Sequence, residues 1–241
     1  GAVLAYDRAL AIRPDFVIAH FNRGNALKVA GRLTEAVTSY EKALQLRPDY
    51  AQAHANRAIA LHEAGYPHEA LIGYDHALAL RPDHAATHCN RARVQLELGL
   101  YDAALASCER AALLAPTDAT ILCDRGALLQ QMSYPEASLV SLDRAIQIDP
   151  GQANAHMNRG FGLLLIEQWE RACEAFDNVI AIRPDDAAAW CGRGIGLRGL
   201  ARLEEAMASL DRALELRADY PEGHLNYGNV LLGLERPEEA L

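Results

Sequence analysis

The apolar positions of this chain fall in short stretches with helical spacing, and the stretches come in pairs. From about Val17 to Ala30, and again from about Thr34 to Arg47, apolar residues keep to one stripe of a helix. The pair then recurs every 34 residues. Pro14, Pro48, Pro82, Pro116, Pro150 and Pro184 mark the period, and Ala218 stands where the next proline would be. The text around them recurs as AIRPD at 11–15, QLRPD at 45–49, ALRPD at 79–83 and AIRPD at 181–185. This divides the chain into a partial repeat at 1–16, repeats at 17–50, 51–84, 85–118, 119–152, 153–186 and 187–220, and a partial repeat at 221–241. In each repeat the first helix, A, ends near a glycine such as Gly31, Gly65 or Gly99. The second, B, opens with Pro67, Pro135 or Pro237 in three repeats, where the missing N–H is harmless. Helix B stops before the marker proline.

Small residues share phases where helices must approach closely. Gly24, Ala58, Ala92, Gly126, Gly160, Gly194 and Gly228 form one such series. Ala36, Ala70, Ala104, Ser138, Ala172, Ala206 and Ala240 form another, and Ala43, Ala77, Ala111, Ala145 and Ala213 a third, with Val179 the exception. Larger residues fill between them: Tyr6, Tyr40, Tyr74 and Phe176, with Leu27, Leu61, Leu129, Leu163 and Leu197. No repeat buries such a face alone, so neighbours must share one elongated core.

These residues resemble the tetratricopeptide repeat over the whole chain, as one solenoid of six full repeats, a leading helix B and a trailing helix A. The resemblance implies an all-α fold, a right-handed superhelix of 34-residue helix-turn-helix repeats with helices A lining the concave face. Gln95 replaces an apolar residue in the third repeat, Cys108 replaces the aromatic of its helix B, and the fourth repeat departs near Ser133. Those two repeats are expected to pack less regularly.

Composition narrows the function. The chain has 241 residues, 51% of them hydrophobic, and a formal net charge of −9. A general nucleic-acid binder would carry a basic surplus, so nucleic acid is not an expected partner. No apolar run is long enough for a membrane span, and GAVLAYDRAL at the N-terminus lacks a signal-peptide pattern. Cys89, Cys108, Cys123, Cys173 and Cys191 form no C-x-x-C pair, and repeat-spaced positions are too far apart for disulfides. Free thiols in small-residue positions fit a reducing compartment, so a cytoplasmic location is expected. The chain reads as opening with a helix B that lacks its helix A and closing with a helix A that lacks its helix B. EEAL at 238–241 is in phase with GAVL at 1–4, which suggests a fragment of a longer array capable of head-to-tail self-association.

Candidate chemistry is sparse. Gly194-Ile-Gly-Leu-Arg-Gly199 matches G-x-G-x-x-G, but it lies inside a helix with no strand before it, so no dinucleotide site is read. Its glycines, with Gly192, each cost about 1 kcal/mol against Ala in an exposed helix, which predicts a soft helix. His20, His54, His88, His156 and His224 share a phase with Trp190. Repeat spacing keeps them from one metal ion, and they read as large, partly apolar fillers. No catalytic grouping, metal or cofactor is expected.

Two recurrences point further. Arg23, Arg57, Arg91, Arg125, Arg159 and Arg193 sit beside close-packed small residues. They are expected to pair with helix B acids of their own repeat or, by preference, the preceding one, in the series Asp7, Glu41, Asp75, Glu109, Asp143, Asp177 and Asp211, the alternative being a stripe that binds phosphate or carboxylate. If those pairs were buried, losing one partner would cost about 3–5 kcal/mol. Asn22, Asn56, Asn90, Asn158 and Asn226, with Asp124 and Gly192 at the gaps, share another phase. The family resemblance puts this phase in the groove, where an amide can pair with any peptide backbone; the alternative is bonding within each repeat. The ladder resembles that of O-linked N-acetylglucosamine transferases and their bacterial relatives. The candidate site is therefore Asn22, Asn56, Asn90, Asp124, Asn158 and Asn226, and the expected partner is a protein or peptide. Two alternatives stay open: the substrate-recruiting arm of such a glycosyltransferase, and a self-assembling scaffold.

Overall fold

The computed structural model describes residues 1–234, which form fourteen α-helices and no strand. They divide into two compact units, one from Gly1 to Pro116 and one from Thr117 onward. The first unit holds α1 (Ala2–Ile12), α2 (Val17–Val29), α3 (Leu33–Leu46), α4 (Ala51–Glu63), α5 (Pro67–Leu80), α6 (Ala85–Glu97) and α7 (Tyr101–Leu114). The second holds α8 (Ala119–Gln131), α9 (Pro135–Ile148), α10 (Ala153–Leu165), α11 (Trp169–Ile182), α12 (Ala187–Gly199), α13 (Leu203–Leu216) and α14 (Pro221–Gly233). Even-numbered helices are the A helices. Among the described residues none is long and apolar enough to cross a membrane. The expectations for Pro237, Ala240 and the 238–241 overlap lie outside the described residues.

Among the described residues one corner joins each A helix from α2 to α12 to its B helix. After α2, Gly31 N–H donates to Lys28 O (3.0 Å) and Arg32 N–H to Leu27 O (3.0 Å), the two bonds of a Schellman ending. The residue between must be left-handed. Gly31, Gly65 and Gly99 take φ of 72°, 85° and 72°, and Ser133, Glu167 and Ala201 take 65°, 56° and 57° at the same phase. The fourth repeat is therefore not irregular at Ser133. It makes the same corner, with Ser133 N–H on Gln130 O and Tyr134 N–H on Leu129 O, using a residue less suited to that conformation.

Four apolar clusters supply the cores of the two units. Their centres are the large residues of helix B, each seated against the small residue of a helix A. A side-chain carbon on Gly24 would come within 2.6 Å of Tyr40, on Gly160 within 2.7 Å of Phe176, and on Gly194 within 2.7 Å of Leu210. Tyr40, Phe176 and Leu210 are fully buried. The same geometry gives the glycines of α12 a packing role. Gly192 faces the Phe176 ring, Gly196 the Cys173 sulfur and Gly199 the Trp169 ring, so its glycines are spaces filled by α11. Burial against these side chains offsets the conformational freedom that glycine carries.

Gln95 also packs regularly. It is 7% exposed, and its Oε1 accepts from Ser107 Oγ at 2.7 Å. Ser107 Oγ in turn accepts from Arg91 Nε at 3.1 Å, and Arg91 Nη1 reaches Asp75 Oδ1 at 3.0 Å. A buried amide whose partners are present adds no unmet hydrogen bond to the core.

Five of the six arginines pair in the expected register, and Arg125 bonds Ser141 rather than Glu109. Arg23 meets Asp7 at 2.7 Å, Arg57 Glu41 at 2.7 Å, Arg91 Asp75 at 3.0 Å, Arg159 Asp143 at 2.6 Å and Arg193 Asp177 at 2.7 Å. The expectation of burial is corrected: the arginine side chains are 18–27% exposed and the carboxylates 42–56%. Solvent at the carboxylate screens the pair, so each contributes at the scale of surface pairs, below about 1 kcal/mol. A second partner holds the guanidinium from its own repeat. Arg23 donates to Ser39, Arg125 to Ser141 and Arg193 to Ser209, at 2.6, 2.5 and 2.6 Å. These serines lie sixteen residues after the arginine and are buried.

Candidate binding face

Successive A helices are neighbours, α2, α4 and α6 in the first unit and α8, α10, α12 and α14 in the second. The asparagine phase falls on these helices. Asn22, Asn56 and Asn90 are half-buried on α2, α4 and α6; Asn158 and Asn226 are half-buried on α10 and α14, and Asp124 is exposed on α8. Asn56 Nδ2 donates to Asn25 Oδ1 at 2.8 Å, and that oxygen also accepts from Tyr40 Oη at 2.8 Å. Asn90 Oδ1 accepts from Arg93 Nη2 at 2.8 Å. Asn158 Nδ2 lies 3.7 Å from Cys123 Sγ, and Asn226 Nδ2 lies 3.9 Å from Cys191 Sγ while donating to Glu222 O at 2.7 Å. Each of these amides thus uses part of its capacity to tie one A helix to the next or to its own turn. An amide with two N–H groups and two carbonyl lone pairs keeps further valences.

In the first unit, α4, α6 and the end of α5 enclose a cleft of about 280 Å³. Gln52, Asn56 and Asn90 line it beside Ala55, Ile59 and Arg81. No carboxylate lines it, in a chain with a net charge of −9. Two other cations of the first unit's A helices are already engaged. Lys28 lies 3.9 Å from Glu63, and Arg93 is bonded to Asn90. A cluster of lysines and arginines aimed at a carboxylate terminus is not what these residues build.

The histidine phase has a use that its apolar reading missed. Nε2 of His20, His54, His88 and His156 lies 2.8–2.9 Å from the carbonyl oxygen of Pro14, Pro48, Pro82 and Pro150, and His224 reaches Ala218 O at 2.8 Å. Trp190 Nε1 does the same to Pro184 O at 2.9 Å. These carbonyls sit in the turn between helix B and helix A, where no helical N–H reaches them. The signal was the constant six-residue spacing from proline to ring. Among the described residues, no group of three or more His, Cys, Asp or Glu is placed to hold a metal ion.

The five cysteines are buried. Burial pushes the Cys123 thiol up to about 11 and raises Cys173 and Cys191 above the ordinary thiol value. The reactive form is the thiolate, so these groups are inert while the fold is intact. Iodoacetamide at pH 8 is expected to modify Cys123 about 100-fold more slowly in the native chain than in urea. Alkylation followed by mass spectrometry measures this, and comparable rates in the two states would show that the thiol is accessible.

Family models described as TPR repeat and tetratricopeptide repeat match residues 29–65, 85–118, 164–221 and 191–241. No curated protein matches the sequence. Among solved structures, the chain is similar to one in the APC/C hetero-tetramer Cut9–Hcn1, with a TM-score of 0.79 and 14% identity over 95% of this chain and 46% of that one. It therefore spans about half of that protein's length. It is also similar to a tetratricopeptide repeat protein from Parabacteroides merdae, with a TM-score of 0.75 and 19% identity over 93% and 89% of the two chains. YrrB, described as a TPR protein with an unusual peptide-binding site, gives a TM-score of 0.62 and 23% identity over 76% and 95%. At these identities the likeness speaks for the fold alone.

Proposed function

We propose that this chain, which belongs to the tetratricopeptide-repeat family, is a scaffold that holds an extended polypeptide along its A helices, through Asn22, Asn56, Asn90, Asp124, Asn158 and Asn226. The observation that carries the reading is the cleft shared by Asn56 and Asn90, two equivalent positions 34 residues apart whose side chains line one recess with alanines between them. Amide groups so placed suit the backbone of a bound chain and leave its side chains unspecified. The structural likeness to YrrB, whose description includes a peptide-binding site, is consistent with such a role. In this reading the chain is one solenoid, non-catalytic and without cofactor. It works in the cytoplasm on a protein or peptide, not on nucleic acid or membrane.

Selection from a random peptide library on the immobilised chain tests it. Asn56→Ala and Asn90→Ala are each expected to weaken the selected peptides about 2–10-fold, the scale of one hydrogen bond. Affinity should change little between low and high salt, because few charges take part. A steep salt dependence, or full affinity in the double variant, would reject the reading.

A further inference from the structure

The first two repeats differ at the positions that decide whether the A face is closed. Beside α2 and α4, the rings of Phe21 and Tyr50 lie 4.9 Å apart, and Phe21 is buried. The guanidinium of Arg47 stands 5.2 Å from the Tyr50 ring centroid. Thirty-four residues on, Ala55 replaces Phe21, His84 replaces Tyr50, and the arginine remains as Arg81. His84 keeps a smaller ring at the Tyr50 position, with its Nδ1 2.7 Å from the hydroxyl of buried Thr87 at the start of α6. The ring of Phe21 thus has no counterpart in the second repeat, and the cleft between α4 and α6, which His84 also lines, lies at that place.

Resting on the peptide-scaffold reading, we propose that this cleft takes an aromatic side chain of the bound polypeptide, which supplies from outside the ring that Phe21 supplies from within the first repeat. The chain shows repeatedly what this turn arginine does beside a ring. Arg13 lies 3.5 Å from the Phe16 centroid and Arg217 3.5 Å from that of Tyr220. In the second repeat Arg81 lines the cleft, with alanines and Ile59 as apolar walls and no carboxylate beside it. A flat, apolar side chain with a negative face suits that combination better than an aliphatic one, through burial and attraction of the cation to the ring. Asn56 and Asn90 line the same recess, where their amides suit the peptide groups on either side of the inserted ring.

The test uses the ¹⁵N-labelled chain and blocked pentapeptides, acetyl-Gly-Gly-X-Gly-Gly-amide, with X as Phe, Tyr, Leu, Asp or Ala. Shifts of the Asn56 and Asn90 side-chain amides and of Arg81 Nε report occupancy. The Phe and Tyr peptides are expected to bind at least about 5-fold tighter than the Leu, Asp and Ala peptides, the scale of one cation–π contact. Ala55→Phe with His84→Tyr rebuilds the first repeat's own pair in the second. It should abolish aromatic binding while leaving helical content and melting temperature the same or higher. Arg81→Gln, at an exposed turn position, should weaken aromatic binding several-fold without touching the walls, and it decides the matter if the double variant does not fold. Preference for the Leu or Asp peptide, or undiminished Phe binding in these variants, would overturn the inference. If library-selected peptides still depend on Asn56 and Asn90 but ignore the filled cleft, only this inference falls. If they depend on neither, the scaffold reading falls with it.

Discussion

Phe176→Ala is expected to destabilise the second unit by about 3–5 kcal/mol, the range for removing a fully buried aromatic side chain. Phe176 is 0% exposed, and its ring lies where Gly160 of α10 and Gly192 of α12 have no side chains. It also meets Phe161 edge-on, with centroids 5.2 Å apart. One residue of α11 therefore fills space against two A helices at once. Its loss leaves a cavity that neither helix can close without a shift of backbone. The same geometry forecasts the reverse changes. Gly160→Ala and Gly192→Ala should destabilise despite the gain of up to about 1 kcal/mol in helix propensity, because the added carbon meets the ring. Phe176→Leu combined with Gly192→Ala should lose less than Phe176→Ala, since the new methyl refills part of the cavity. Urea titrations followed by circular dichroism measure these differences. A loss below about 1 kcal/mol for Phe176→Ala would mean that the second unit does not depend on this packing.

Replacing Ser133, Glu167 and Ala201 together with glycine is expected to stabilise the second unit by about 3 kcal/mol. A non-glycine residue in the left-handed region carries a cost of about 1–2 kcal/mol, part of which is recovered as unfolded-state entropy, leaving about 1 kcal/mol at each corner. The corners lie in separate repeats, so the gains should add. The first unit already carries glycine at all three equivalent places. Gly31→Ala, Gly65→Ala and Gly99→Ala should accordingly each cost a similar amount, although open space surrounds these positions. The effect is conformational rather than steric, which separates it from the effect at Gly160 and Gly192. The midpoint of urea unfolding should rise in the triple glycine variant with no change of slope. An unchanged or lowered midpoint would show that these corners are not under strain.

What was legible beforehand and what was not divide along physical lines. A 34-residue period places every equivalent contact at one phase, so one reading of small against large residues, such as Gly160 against Phe176, serves each repeat. Helix starts and stops are local, governed by proline and glycine within a few residues. The arginine register followed too, because a charge beside a close-packed helix needs a partner and the preceding helix B offered one in every repeat. The exposure of those carboxylates did not follow, since it depends on how far the side chains reach toward solvent. Nor did the serine partners, the histidine bonds to the proline carbonyls, or the bond network that settles Gln95. Each needs a particular side-chain rotamer and a distance set by two helices together. The asparagine phase was visible as a candidate binding stripe, but its ties to Asn25, Arg93 and Cys123 were not. The cleft lay furthest from view, because the ring pair Phe21 and Tyr50 that closes the same place in the first repeat is not part of the repeating pattern. Ala55 and His84 look like ordinary substitutions along the chain, and only the packing of α4 against α6 turns the absence of the Phe21 ring into a space.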